Sequence, residues 1–237
     1  RAACVKLAPL ASALLAMSCN AIIDARSGKA EQAYAELSAA LARRPDADPE
    51  LKLWIQTRLA EAAVQLGRTE LAERHFKDGL ALGITDGYIL AAYADFLLDH
   101  GRPLETVALL KDWERSDILL LRLALAEQAA KLPAAAAHIA MLKERFDASA
   151  LRGDKLHQQD EARFLLDMLG DAKGALRLAE ENYRVQREPS DARMLMEAAL
   201  AAKDYAAAKP ALDWMRSSGY EDPVYARLAR QLRAGLQ

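Results

Sequence analysis

The sequence predicts an all-α chain: a solenoid of about six helical hairpins closed by a C-terminal capping helix. Three observations carry this reading. Apolar residues recur at helical spacing through most of the 237 residues, and no stretch alternates apolar and polar for the length of a strand. Aromatics make up only 6%, β-branched residues are sparse and alanine is abundant, which disfavours sheet and lets helices approach closely. One phrase also repeats along the chain: a helix, a turn at Gly or Lys, and a second helix.

The clearest copy runs from Leu53 to Leu82, LWIQTRLAEAAVQLGRTELAERHFKDGLAL. Leu59, Ala63 and Leu66 share one face of its first helix, and Leu71, His75-Phe76 and Leu80 one face of its second. Gly67 between them can take the left-handed conformation that closes a helix C-terminus without steric cost. Equivalent turns fall at Gly28, Gly67, Gly101, Lys131, Gly170 and Lys203, at intervals of 30 to 39 residues.

Taken in order, the expected hairpins span 11–43, 50–82, 86–115, 117–147, 156–187 and 190–218, with a cap over 222–235, all in one domain of residues 1–237. Arg1 to Ala8 reads as the tail of a preceding helix, so the chain looks like a fragment or processed product. Pro9 breaks that segment. The first hairpin stops before Pro45, and Asp48-Pro49 opens the next helix, as Pro does at a first helical position. Asp86 is the expected N-cap of the third unit. Its turn is Gly101-Arg102-Pro103, and its second helix ends near Trp113 to Arg115. In the fourth unit, Lys131-Leu132-Pro133 places Pro at the first position of the second helix, which ends at Phe146. Arg152-Gly153-Asp154 reads as an inserted loop. Ser190 or Asp191 caps the sixth unit. The last helix carries Arg227, Arg230 and Arg233, the polar outer face that a terminal cap needs.

Charge is near balance, with a formal net charge of −2, and Lys and Arg are interspersed with Asp and Glu in almost every helix. Nucleic-acid binding, which needs a basic stripe, is not expected. The apolar run Leu7 to Met17 follows Arg1 and Lys6 like a leader, but it is too short to span a bilayer and is interrupted by Pro9. No membrane span is expected, and the compartment is left open between cytoplasm and periplasm. Cys4 and Cys19 are read either as buried unpaired thiols or, in an exported protein turning at Pro9, as a disulfide.

The repeat is similar to the tetratricopeptide (TPR) family, whose unit is 34 residues. Its second helix carries Ala and, four residues on, a large residue: here Ala72 with Phe76, Ala33 with Leu37 and Ala208 with Leu212. Ala136 with Ala140 and Ala175 with Ala179 match more weakly, and Thr106 with Leu110 departs. Small residues stand at the helix crossing in Ala21, Ala60, Ala94 and Ala124. Arg163 and Met196 stand there in the last two units, which either diverge or are misaligned by one residue.

The resemblance implies a right-handed superhelix of bacterial TPR type, binding a protein or peptide on a concave face lined by the first helices. Position by position, the candidate groove is Trp54, Thr57, Glu61, Tyr88, Ala91, Asp95, Asp99, Leu121, Leu125, His157, Asp160, Phe164, Asp167, Arg193 and Glu197. Apolar anchors among carboxylates suit a peptide with apolar residues and positive charge; alternatively Trp54, Tyr88 and Phe164 pack between hairpins. The Lys and Asn clamp that some members use for a terminal carboxylate is missing at Thr57, Ala91, Leu121, Glu61, Asp95 and Leu125.

Catalytic constellations are not found. His75, His100, His138 and His157 are scattered without a zinc-type pair, and neither a Gly-rich phosphate loop nor a nucleophile elbow occurs. His157 with Asp160 and Glu161 forms at most a surface ion pair or a helix entry. The expected function is therefore a non-enzymatic interaction scaffold with no cofactor and no metal. A structural or self-assembly module of a larger exported or envelope-associated protein, associating through its solenoid ends, is the alternative; a small-molecule sensor or enzyme ranks third.

Overall fold

A computed structural model describes Cys4, Lys6 and residues 12–154 and 157–236. The expected helix tail at Arg1 to Ala8, the break at Pro9 and the start of the fifth unit at Leu156 fall largely or wholly outside these residues. Among the described residues the chain is all-helical, with no strand. Its helices are α1 (Ala13–Ala25), α2 (Ala30–Ala42), α3 (Pro49–Gln65), α4 (Thr69–Leu80), α5 (Gly87–Asp99), α6 (Pro103–Leu110) and α7 (Asp117–Ala129). They continue as α8 (Ala135–Leu151), α9 (Gln158–Asp167), α10 (Ala172–Val185), α11 (Pro189–Ala201), α12 (Lys209–Ser218) and α13 (Pro223–Gly235).

All six expected turns carry positive φ, from 56° at Lys131 to 72° at Gly28. In five of them the residue after the turn donates its N–H to a carbonyl five residues back, as Arg68 does to Ala63. This is the bond that closes a helix end through a left-handed residue. The turn at Gly170 is longer: the Asp171 N–H reaches back six residues, to Leu165. One extra residue rotates α9 by about 100° relative to the other first helices, so the buried small residue there is Ala162 and not Arg163. In the sixth unit the turn at Lys203 is ordinary, and fully buried Met196 is a true divergence, a flexible side chain filling the crossing.

Helix starts follow local chemistry. Asp48 accepts from the N–H of Glu50 and Leu51 beside Pro49, and Asp86 from those of Tyr88 and Ile89. The sixth unit differs from expectation. Glu188 is its N-cap, and Asp191 is the partner residue of a capping box, accepting from the Glu188 N–H at 2.8 Å. Pro133 stands two residues ahead of α8, so the buried small residue is Ala135, while Ala136 and Ala140 are exposed. α8 also continues past Phe146 to Leu151, because nothing between Asp147 and Leu151 breaks a helix before Gly153 turns the chain at φ 71°. The second helix of the sixth unit opens as a 3-10 turn, Tyr205–Ala208, ahead of Pro210, whose missing N–H cannot donate to the Ala206 carbonyl. Thr106 and Leu110 are both fully buried.

The chain divides into two compact units, Arg1–Tyr93 with Trp214–Ala226, and Ala94–Asp213 with Arg227–Gln237. In the first, α1 packs on α2 and α3, α2 on α3, and α3 on α4. Leu14, Ala21, Ala33, Leu37, Ile55 and Leu59 form one core cluster. Crossing residues Ala60 and Ala72 are fully buried, and Phe76 stacks on Tyr93 at 5.1 Å. Tyr220 sits between Trp214 and Tyr225 and accepts a hydrogen bond from Gln65 Nε2 at 3.0 Å. At Gly28 a Cβ would lie 2.7 Å from the Gly219 carbonyl oxygen, so that position needs glycine for space as well as for φ. Cys4 and Cys19 are joined by a disulfide, with 5.7 Å between Cα atoms, which decides between the two readings of the thiols.

In the second unit α7 packs on α6, α8 and α9, α10 on α9 and α11, and α9 on α11. Apolar residues cover every side of α7, with Leu119, Leu120, Leu121 and Leu123 all buried, as expected for a helix surrounded by protein. Phe146 meets Phe164 at 5.3 Å. None of the described helices is long and apolar enough to cross a membrane.

Lys131 and Lys203 hold left-handed backbone that glycine adopts without steric penalty. Replacing either with Gly is expected to stabilise the fold by roughly 0.5–1 kcal/mol. Urea unfolding of Lys131→Gly and Lys203→Gly checks this; a loss of stability in both contradicts the turn assignment.

Candidate functional site

The candidate residues are distributed over the two units, and each group is described within its own. In the first unit α3 and α5 present an aromatic clamp. Trp54 and Tyr88 are 38% and 49% exposed. Between them lies the Arg58 guanidinium, 4.1 Å from the Trp54 ring centre and 4.5 Å from that of Tyr88. Trp54 and Arg58 are neighbours because they stand four residues apart on α3. Arg58 Nη1 donates to Glu61 Oε2 at 2.8 Å and to the Tyr88 hydroxyl at 3.1 Å. The Tyr88 hydroxyl in turn donates to Glu61 Oε1. Burial and the Glu61 carboxylate push the Tyr88 phenol well above its ordinary range, so it stays protonated as a donor. A cation held between two rings by its own hydrogen bonds makes a rigid, half-exposed patch.

Thr57 is not part of that patch. It is 1% exposed and its hydroxyl donates to the Leu53 carbonyl at 2.9 Å, satisfied within α3. Ala91 is half-buried. Behind the clamp, His75 lies between the Tyr34 hydroxyl at 2.9 Å and Gln56 Oε1 at 2.7 Å, linking α2, α3 and α4. Burial holds His75 below its usual range.

The second unit carries an ion ladder across its first helices. Asp95 of α5 accepts from Arg122 Nε of α7 at 2.9 Å and from Arg163 Nη1 of α9 at 2.6 Å. Arg122 Nη1 reaches Asp160 of α9 at 3.3 Å and the Ile118 carbonyl at 2.8 Å. Arg163 lies 3.6 Å from Asp167. Arg193 of α11 grips Asp99 with two bonds of 2.6 Å and donates to Glu197 at 2.8 Å. Bidentate guanidinium–carboxylate pairs of this kind combine strength with fixed geometry.

Six of the candidates, Asp95, Asp99, Asp160, Asp167, Arg193 and Glu197, are therefore brought together, but with one another and with two arginines that were not candidates. Arg122 and Arg163 convert the expected acidic groove into a largely neutralised surface. A signal for this existed in the sequence. Arg58 and Arg122 both stand nine residues before a left-handed turn, and their partners Glu61 and Asp95 both stand six before one. Leu121 and Phe164 are 0% and 2% exposed and belong to the core, while Leu125 is half-buried. His157 is exposed at the start of α9 and is not joined to Asp160, whose carboxylate turns to Arg122.

Elsewhere in this unit His138 bridges Glu127 at 2.6 Å and Glu114 at 3.4 Å, a tie between α7, α8 and the loop before α7. Among the described residues no group of three or more His, Cys, Asp or Glu is placed to hold a metal ion. Compared with models of protein families and with curated proteins, the chain matches none.

Asp95 supplies a pH test of the ladder. Burial alone would raise its pKa, but Arg122 and Arg163 outweigh burial and hold it at about 2, below the ordinary 3.8. A carboxylate depressed in the folded state contributes stability above its unfolded pKa, and that contribution is lost as pH falls from about 4 to about 2. Asp95→Asn is expected to cost roughly 2–4 kcal/mol at pH 7. The difference from wild type should shrink across that acid window in denaturant unfolding followed against pH; a difference independent of pH contradicts the ladder.

Proposed function

We propose that this chain is a non-enzymatic binding scaffold, a TPR-like right-handed solenoid, and that a partner protein or peptide docks on the first-helix face of the first unit. The observation that carries this reading is the Trp54–Arg58–Tyr88 clamp. Trp, Tyr and Arg are the residue types that dominate binding energy at protein interfaces. Here the two rings stand half-exposed over a buried Arg58 and all three side chains are already locked in place, so little conformational freedom remains to be lost on docking. Charge plays a smaller part than the sequence implies, since a cationic peptide at the second unit would compete with Arg122, Arg163 and Arg193 for carboxylates they already hold.

A second reading is a structural or self-assembly module of a larger exported or envelope-associated protein. The Cys4–Cys19 disulfide favours it, because such bonds persist in oxidising compartments.

A pulldown followed by a peptide array identifies the partner and decides between them. Trp54→Ala and Tyr88→Ala are each expected to weaken its binding about tenfold or more, with the melting midpoint little changed for half-exposed Trp54 and lowered for Tyr88, whose hydroxyl serves buried Arg58. Partner binding indifferent to both substitutions contradicts the docking face. Light scattering over a concentration series addresses the second reading: association of copies supports it, and a strict monomer contradicts it.

A further inference from the structure

The terminal helix leaves a set of cations unspent. Within the second unit, α13 turns Leu228, Ala229 and Leu232 inward, all buried, and a Cβ at its Gly235 would lie 2.5 Å from the Tyr205 ring, so the helix is held close against the unit. Its outward face carries Arg227, Arg230 and Arg233, all exposed. Among the described residues, no hydrogen bond, ion pair or ring contact engages any of these three guanidiniums. Arg122, Arg163 and Arg193 of the same unit, by contrast, all hold carboxylates. The cause is local: α13 contains no Asp or Glu, so the usual pairs at three- and four-residue spacing cannot form within it. Three residues apart, successive arginines stand about 4.5 Å along the axis and about 60° around it, in one oblique row.

We propose that this row is a docking surface for an acidic helical segment of a protein partner. Carboxylates at three- and four-residue spacing recur about every 4.5–6 Å along their own helix, which matches the pitch of the guanidiniums, so successive pairs can close in bidentate form. Two other anionic partners fit less well. A helix that lies on a membrane buries apolar side chains in it, and those of α13 in this unit are turned inward against the chain. A phosphate backbone favours a basic surface that extends beyond one helix, whereas residues 94–213 of this unit carry an excess of acid over base. The row stands on a different helix from the aromatic clamp and requires nothing of it.

Fluorescence anisotropy tests this with a labelled Ala-rich helical peptide bearing three Glu at four- and three-residue spacing. Its controls are the Gln counterpart and a peptide with the same three Glu scattered around the helix. Saturable binding of the first peptide, at least tenfold weaker for either control, is the expected result. Arg227→Gln, Arg230→Gln and Arg233→Gln combined should weaken it at least tenfold with the melting midpoint unchanged, because the three side chains are exposed and unpaired. Screening shortens the reach of charge from about 10 Å at 0.1 M salt to about 3 Å at 1 M, so binding should also weaken across that range. No binding by the wild-type protein, equal binding of the scattered peptide or undiminished binding by the triple variant overturns the proposal. Tighter association with phosphatidylglycerol vesicles or with a short DNA duplex, lost in the same variant, overturns it in favour of a membrane or a nucleic acid. Should the variant fail to fold, the three peptides compared on the wild-type protein decide. Trp54→Ala is expected to leave Glu-peptide binding unchanged; a loss there places the peptide on the clamp and removes the row, whereas indifference of a clamp partner to Trp54→Ala removes the clamp alone.

Discussion

Every hairpin in this chain depends on one backbone event, a residue held in left-handed conformation where the first helix stops. It closes the helix end with a backbone hydrogen bond and reverses the chain at a fixed register, so that a particular side chain of the first helix faces the second. Ala60 and Ala124 both stand seven residues before their turn and are fully buried there. Added length at this point changes everything that follows from it. At Gly170 one more residue moves the crossing from Arg163 to Ala162, and the displaced Arg163 becomes a rung of the ion ladder on Asp95.

Turn positions were legible in the sequence because their chemistry is local: glycine tolerates φ near 70°, and helix starts are signalled by Asp and Pro. Boundaries drawn from those signals lie within a few residues of most observed helices. Side-chain rotation was less legible. Periodicity identifies a stripe of buried positions, but Ala135 and Ala136 differ by a single residue, and only the path of the chain after Lys131 decides which of them faces inward. For the same reason Phe164 and Leu121 passed for groove residues, since an apolar side chain on a first helix looks the same whether it meets a partner or the next hairpin. The ladder depended on helices far apart in sequence, and only the shared repeat position of Arg58 and Arg122 hinted at it.

The two units use charge and aromatic surface differently. In the second, arginines on α7, α9 and α11 consume the carboxylates of α5, α9 and α11, so surface charge ties helices together. In the first, Arg58 is held by two rings and one carboxylate, with the rings still available to solvent, and Arg68 pairs with Glu31 of α2. Near balance in overall charge therefore hides two different local arrangements. Composition alone cannot separate them, because both use the same residue types.

The central claim is that close approach at a small residue, fixed by the turn that follows it, holds each hairpin together. Thermal and urea unfolding of Ala60→Leu and Ala72→Leu, beside Ala136→Leu at an exposed alanine of a second helix, tests it most directly. Overpacking at the two buried positions is predicted to cost roughly 1–3 kcal/mol each, and the exposed change less than about 0.5 kcal/mol. An unchanged midpoint at Ala60 and Ala72, or an equal loss at Ala136, would contradict the account.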